Sequence, residues 1–325
     1  MPGLPRPITV PSRGSASGRG LRHPEPPKTP VAPVQRRRRR ETAAAWAYVS
    51  PAVLIILGLG VVPVAWSLLL SFQVDDLVTP SRWTGLDNYA ALAQDPHFAQ
   101  AVGNTVLYTL LYVPLSILFG FLLAQALNRR IRLVGLYRTL VFVPFVLSAT
   151  AQGVLFSFIL DPQFGAANSL LHHLGVSPQG FLTDPAQALL VLVGITLWSG
   201  TGFCVVVYLA ALQDVPPSLV EAARLDGAGT WRVLRHVTLP AITPVTAFLV
   251  LWQLITSLQV FDLVYVTTKG GPLGSTTVIV YFVWEQAFKN FTAGYGAASA
   301  YVLALALLVV VLVLRVLRRP GKALR

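Results

Sequence analysis

The stretch PPSLVEAARLDGAGTWRVLRHVTLPAITP, residues 216–244, is a polar interruption between two apolar runs that are long enough to cross a membrane. Ser218 and Glu221 stand three residues apart behind two prolines. This is the spacing of a capping box and predicts a helix over residues 219–226. Gly227 is expected to end this helix, because glycine readily adopts the left-handed backbone that a helix C-terminus often needs.

The second half of the stretch predicts another short helix. Gly229 and Thr230 allow a turn, and residues 231–238 follow as a helix. Leu239 and Pro240 are expected to end it, since proline disrupts a helix interior. The whole stretch is therefore interpreted as two short helices at an angle.

Composition places the chain in a membrane. It has 325 residues, 54% hydrophobic and 12% charged, and its mean hydropathy is +0.63. Few soluble domains combine so much apolar surface with so few charges. The single cysteine, Cys204, lies in an apolar run, which excludes an intramolecular disulfide and a cysteine metal cluster. The adjacent His172 and His173 are interpreted as solvated loop residues, so no metal site is predicted.

Six stretches carry the ~20 mostly apolar residues that cross about 30 Å of hydrocarbon. We therefore predict an all-α integral membrane protein with six transmembrane helices and with the polar stretch between the fourth and fifth. The predicted spans are residues 46–72, 105–127, 140–160, 186–212, 243–266 and 295–314, within a transmembrane domain of residues 44–319. The remaining predicted segments are a disordered basic tail (1–43), a polar segment with an interfacial helix (73–103), an amphipathic or interfacial stretch (278–291) and a C-terminal end (320–325).

The net charge of +12 is distributed as membrane topology requires. With the N-terminus placed inside, 22 of the 25 Lys and Arg fall on the inner side, and only Arg82, Lys269 and Lys289 fall outside. Because cytoplasmic loops carry such an excess, both termini and residues 216–240 are predicted to be cytoplasmic. This distribution argues against a nucleic-acid partner, whereas membrane lipid is an expected partner of the basic tail.

The polar stretch resembles the EAA loop of ABC importer permeases. The residues that carry the resemblance are Glu221, Ala222, Ala223, Asp226, Gly227 and Ala228, followed by Leu239, Pro240 and Pro244. The resemblance implies a coupling element, in which a pair of helices docks into a groove on a separate ATPase subunit. Capping logic alone leaves open a plain helical hairpin at the membrane surface, and the length of the match favours the coupling loop.

Other stretches resemble the sugar-importing, maltose-transporter-like branch of these permeases, in the same order along residues 50–314. They are GLDNY (85–89), FVPFVLS (142–148), DPQFGAAN (161–168), WSGTGF (198–203), VFDLVYVTTKGGP (260–272) and YGAASA (295–300). The resemblance implies a bacterial plasma-membrane subunit that works with a second permease, two ATP-binding subunits and an extracytoplasmic solute-binding protein. The alternatives kept open are an ABC importer permease for non-sugar cargo, such as glycerol phosphate, a polyamine or another small solute, and a secondary transporter.

Motifs for catalysis are missing from the sequence. There is no GxxxxGK[ST] loop to hold nucleotide phosphates, so the chain is not the ATPase. There is also no GxSxG or HExxH motif. We therefore predict a non-enzymatic subunit without a cofactor of its own, whose partner ATPase uses ATP and Mg²⁺.

Polar residues of the fifth span form the candidate substrate path. Asp262 is an ionisable residue in a span, which makes it a functional hypothesis, although it could instead snorkel to the interface or bond a neighbouring backbone. Gln253 and Ser257, and likewise Gln259 and Asp262, are spaced to share a helix face. This stripe could line a sugar path, with Trp252 and Phe261 as aromatic faces, or it could join helices.

Overall fold

The computed structural model describes residues 34–75, 80–129 and 132–317. Two compact units are distinguished, residues 1–60 and 61–325. The first contains helix α1, Val34–Ile55, followed by a π-helical segment, Ile56–Val61. Of the predicted disordered tail, residues 1–33 lie outside the described residues, and the helix already begins at Val34. The predicted C-terminal end, residues 320–325, also lies outside them.

The second unit is built almost entirely from helices. In chain order they are α2 Val62–Leu70, α3 Asp87–Gln94, α4 Pro96–Leu127, α5 Val134–Val146, α6 Ala149–Ile159, α7 Ala166–His173, α8 Ala188–Gln213, α9 Pro217–Leu225, α10 Thr230–Val233, α11 Leu239–Leu258, α12 Asp262–Val266, α13 Ile279–Trp284 and α14 Ala293–Leu317. Two short strands, β1 Gln73–Val74 and β2 Arg82–Trp83, pair antiparallel with Gln73 opposite Trp83. Helix α3 is the short helix predicted within residues 73–103.

Within the described residues, five helices are long and apolar enough to cross a membrane. They are Ala44–Leu70, Pro96–Leu127, Ala188–Gln213, Thr230–Val266 and Ala293–Val313. The pair α5 and α6 supplies a sixth span if it is counted as one. The prediction of an all-α membrane protein with about six spans is confirmed.

The predicted third span, residues 140–160, is not one continuous helix. Helices α5 and α6 replace it and are bent by 99° where they meet. Leu147 is extended at the break, and Ser148 starts α6 by accepting a hydrogen bond from the Ala151 N–H at 3.2 Å. Serine is a preferred helix cap, and Pro144 cannot donate to the ladder of α5, so both residues favour a break here.

The second span begins nine residues earlier than predicted, at Pro96 rather than at residue 105. Asp95 caps the helix by accepting a hydrogen bond from the His97 N–H at 2.8 Å, and it also accepts one from the Tyr295 hydroxyl at 2.8 Å. Partial burial alone would raise the pKa of Asp95, but these hydrogen bonds outweigh it and hold the pKa below its usual value. The cap therefore ties the start of α4 to α14.

Small residues let the central helices approach closely. Helix α8 packs along α4, α5 and α11. A Cβ added to Gly202 would lie 2.6 Å from the Val141 carbonyl oxygen of α5, and one added to Gly200 would meet the Tyr112 hydroxyl of α4. Any side chain at either position would separate the helices, so the two glycines are needed for this close approach.

Three asparagines anchor the connecting segments to neighbouring backbone. The Asn88 amide donates to two carbonyls that follow α2, at 2.9 Å each. The Asn168 amide donates to two carbonyls of its own loop, at 3.1 and 2.9 Å. Asn104 of α4 donates to two carbonyls of the loop between α12 and α13, at 2.9 and 3.0 Å. Loops held through backbone carbonyls in this way have a defined conformation.

The predicted amphipathic stretch, residues 278–291, is helical over α13 and a π-helical continuation, Glu285–Lys289. Tyr281 and Phe282 of α13 are buried, and α13 packs on α4 and α14, whereas Phe288 and Phe291 near the end of the stretch are exposed. The polar end carries an exposed ion pair between Lys289 and Glu285 at 2.6 Å. The apolar face of α13 thus contacts protein.

Candidate functional site

The residues with the EAA-like pattern form helix α9 and the turn that follows it. Gly227 has φ +79°, in the left-handed region. Its N–H donates to the Arg224 carbonyl at 3.0 Å, and the Ala228 N–H donates to the Ala223 carbonyl at 2.9 Å. These two bonds make a Schellman motif, which satisfies carbonyls at the end of the helix. The prediction that Gly227 ends the helix is confirmed.

The predicted capping box is wrong. Helix α9 begins at Pro217, its N-cap is Pro216, and no side-chain capping bond forms. Ser218 therefore lies inside the first turn, and Glu221 is exposed. Proline suits the first helical position because its missing N–H would be unsatisfied there anyway.

The second predicted helix does not stop at Leu239 and Pro240. Helix α10 continues through a π-helical segment, Leu234–Thr238, directly into α11. Pro240 falls in the first turn of α11, where the absence of its N–H is tolerated. The second arm of the loop and the fifth span are consequently one continuous helical path.

The loop exposes apolar as well as polar side chains. Leu225 is 89% exposed and Trp231 is 70% exposed, and Leu219 is also exposed. Among the predicted coupling residues, Glu221, Ala222, Asp226 and Gly227 are exposed, whereas Ala223 and Ala228 are half-buried. Exposed large apolar groups rimmed by polar ones are typical of a protein-binding surface.

A cavity of about 290 Å³ lies among α4, α6, α8, α11 and α12. Its lining is rich in hydroxyl and amide groups. The lining residues are Tyr108, Tyr112, Ala149, Gln152, Thr196, Ser199, Thr256, Ser257, Gln259, Val260, Phe261, Asp262 and Leu263.

Three of the four predicted path residues line this cavity, namely Ser257, Gln259 and Asp262. The fourth, Gln253, is buried one turn before Ser257 on the same face of α11, and its amide donates to the Tyr112 hydroxyl at 2.9 Å. The predicted common helix face of Gln259 and Asp262 is wrong, because α11 ends at Leu258 and α12 begins at Asp262. The break between the two helices nevertheless brings both side chains to the cavity.

The cavity residues from the other helices were not predicted from the sequence. Tyr108 and Tyr112 come from α4, Gln152 from α6, and Thr196 and Ser199 from α8. The Tyr108 hydroxyl donates to the Thr196 hydroxyl at 2.7 Å. Polar residues three or four apart within apolar spans were the available signal, since such pairs share a helix face.

The two aromatic candidates have different surroundings. Phe261 lines the cavity and stacks on Tyr265, with ring centroids 5.3 Å apart. Trp252 is not a cavity residue and packs against Phe203, with centroids 5.4 Å apart. Trp198 packs edge-on against Phe156, with ring centroids 5.3 Å apart.

Comparisons with known proteins give one consistent result. Residues 116–319 match the family described as binding-protein-dependent transport system inner membrane component. A probable ABC transporter permease protein of Pyrococcus horikoshii is 36% identical, over 80% of this chain and 90% of that protein. The lactose transport system permease protein LacF of Rhizobium radiobacter is also 36% identical, over 80% of this chain and 89% of its own.

The fold is likewise similar to a solved transporter. A bacterial ABC transporter involved in the import of the acidic polysaccharide alginate has a chain that matches with a TM-score of 0.80 and 25% identity. The match covers 89% of this chain and 100% of that one.

Proposed function

Since the chain belongs to the family of binding-protein-dependent transport system inner membrane components, we propose that it is a permease subunit of an ATP-driven sugar importer in a bacterial plasma membrane. It works with a second permease, two copies of an ATP-binding subunit and an extracytoplasmic solute-binding protein. ATP and Mg²⁺ are used by the ATP-binding subunits, and this chain is not an enzyme. The excess of Lys and Arg on one side supports cytoplasmic termini.

The continuous helical path from loop to cavity carries this proposal. Helices α10 and α11 join the exposed loop to Ser257, which lines the cavity. Helix α9 packs against α10 and the π-helical segment that follows it, so a displacement of the loop by an ATPase is passed through these contacts to α11 and the cavity wall. Glu221, Ala222, Ala223, Asp226, Gly227 and Ala228 form the docking element in this mechanism.

The lining of the cavity supports carbohydrate as cargo. Sugars present many hydroxyl groups, which pair with amides, hydroxyls and carboxylates, and apolar faces, which pack on aromatic rings. Gln259 and Asp262 supply polar partners, and Phe261 supplies a ring. The name of LacF, a lactose permease, agrees with this class of cargo.

A permease for non-sugar cargo is the second candidate, because the coupling loop serves any solute. A secondary transporter is less well supported. Proton-coupled transporters use chains of ionisable residues in their cores, and the lining of this cavity contains a single carboxylate, Asp262.

The test is the ATPase activity of the complex reconstituted with its partner permease and ATPase, with the loaded binding protein titrated against a panel of sugars. We expect one sugar to stimulate ATP hydrolysis. Stimulation only by a phosphate ester, peptide or polyamine would retain the importer and reject the sugar. Failure of the chain to bind any ATPase would reject the importer itself.

A further inference from the structure

The charge of the cavity lining restricts the kind of solute that the cavity can bind. On the basis of the proposed function, we propose that the cavity accepts uncharged polyhydroxyl cargo and rejects carboxylated or phosphorylated sugars. None of its lining residues, all within the described part of the chain, is Lys, Arg or His, and Asp262 is a carboxylate. An anion in this cavity would meet a like charge and no cation, which costs free energy at short range.

The outer side of the molecule has the same character. With the topology proposed above, the segments outside the membrane contain seven Asp and Glu against three Lys and Arg. The acidic residues are Asp75, Asp76, Asp87, Asp95, Asp161, Asp184 and Glu285. Cargo enters an importer from this side, so an anion is repelled before it reaches the cavity, while a neutral sugar is unaffected.

The hydrogen-bonding groups also suit hydroxyl cargo. The Gln152 amide nitrogen donates to the carbonyls of Pro144 and Leu147, at 3.4 and 2.8 Å, which leaves its side-chain oxygen as an acceptor at the cavity. The Asp262 carboxylate offers only acceptors. A sugar hydroxyl can donate to both groups, whereas a carboxylate or phosphate dianion has no hydrogen to donate.

The cavity lining also contains donors. The Tyr112 hydroxyl accepts the hydrogen bond from Gln253, so its own hydrogen is available to an oxygen atom of the cargo. The cavity thus presents both donors and acceptors, which is the pattern that neutral hydroxyl groups complement. By this criterion the chain differs from its structural neighbour, whose cargo is the acidic polysaccharide alginate.

The experiment measures binding of three trisaccharides of different charge to the purified permease complex without the binding protein. The probes are maltotriose, an alginate trisaccharide and the triglucosamine of chitosan, and isothermal calorimetry at low salt gives each Kd. We expect maltotriose to bind at least tenfold more tightly than the alginate trisaccharide. Equal or tighter binding of the alginate trisaccharide overturns the inference, and so does a complex that binds none of the three.

A matched pair of charge reversals ties the effect to the cavity. Asp262→Lys should lower the ratio of the alginate to the maltotriose Kd at least tenfold. Asp87→Lys makes the same charge change on the same side, but Asp87 does not line the cavity, so its ratio should change less than twofold. Equal effects of both variants would contradict a role of the cavity. ATPase binding is measured on the same preparations. Loss of ATPase binding would mean that the proposed function fails, whereas unchanged Kd ratios with ATPase binding retained would reject only the inference about the cavity.

Discussion

Replacing Gly227 with alanine should disturb the turn after α9 without blocking any contact. A Cβ at Gly227 would meet nothing within 4 Å, so the effect comes from the backbone, whose φ is +79°. A left-handed backbone costs an L-residue about 1–2 kcal/mol. That corresponds to a 5- to 30-fold lower population of the observed turn. Asparagine tolerates this conformation better, so Gly227→Asn should have a smaller effect, and Gly227→Val a larger one.

Gly229 provides the control, since it is two residues away, also has open space, and has φ −67°. We expect Gly227→Ala to weaken ATPase binding to the permease in nanodiscs 5- to 30-fold and to lower sugar-stimulated ATP hydrolysis, with normal membrane insertion. Gly229→Ala should stay within about twofold. Equal losses in the two variants, or wild-type coupling in Gly227→Val, would refute the reasoning.

Three further predictions concern the fold. Asn104→Ala removes both amide bonds to the loop after α12 and should cost about 1–3 kcal/mol, measured by thermal unfolding in detergent. Gly202→Leu should abolish the folded peak in size-exclusion chromatography, whereas Gly194→Leu, with open space around Cβ, should preserve it. The lowered pKa of Asp95 means that its ionised form stabilises the protein above the usual value of 3.8, and this contribution is lost as the pH falls through the folded value. Tyr295→Phe should reduce that acid sensitivity in melting curves.

Local signals predicted the helices and the end of α9 because each rests on a few neighbouring residues. An apolar run long enough for a span is visible in the sequence, and Gly227 acts through its own backbone. The capping box failed although its spacing was right, because Pro217 started the helix one residue before Ser218. Two local signals competed there, and the sequence alone did not rank them.

The errors within the spans have another cause, because hydropathy does not show whether a helix is continuous or broken. The break between α5 and α6 and the break after Leu258 occur within apolar stretches, while the helix runs on through Pro240. The cavity could be predicted only in part for the same reason. Asp262 attracted notice as a charge, but Tyr112 belongs to the site through tertiary packing against Gln253.

Two of the stretches that resemble the family bear on how related permeases can diverge. In GLDNY, Asn88 holds backbone carbonyls, and in DPQFGAAN, Asn168 does the same. No residue of either stretch lines the cavity. Under the proposed function, substitutions at cavity positions such as Gln152 or Thr196 alter the cargo while these stretches stay intact. Related permeases can thus differ in cargo and still keep the stretches that identify the family.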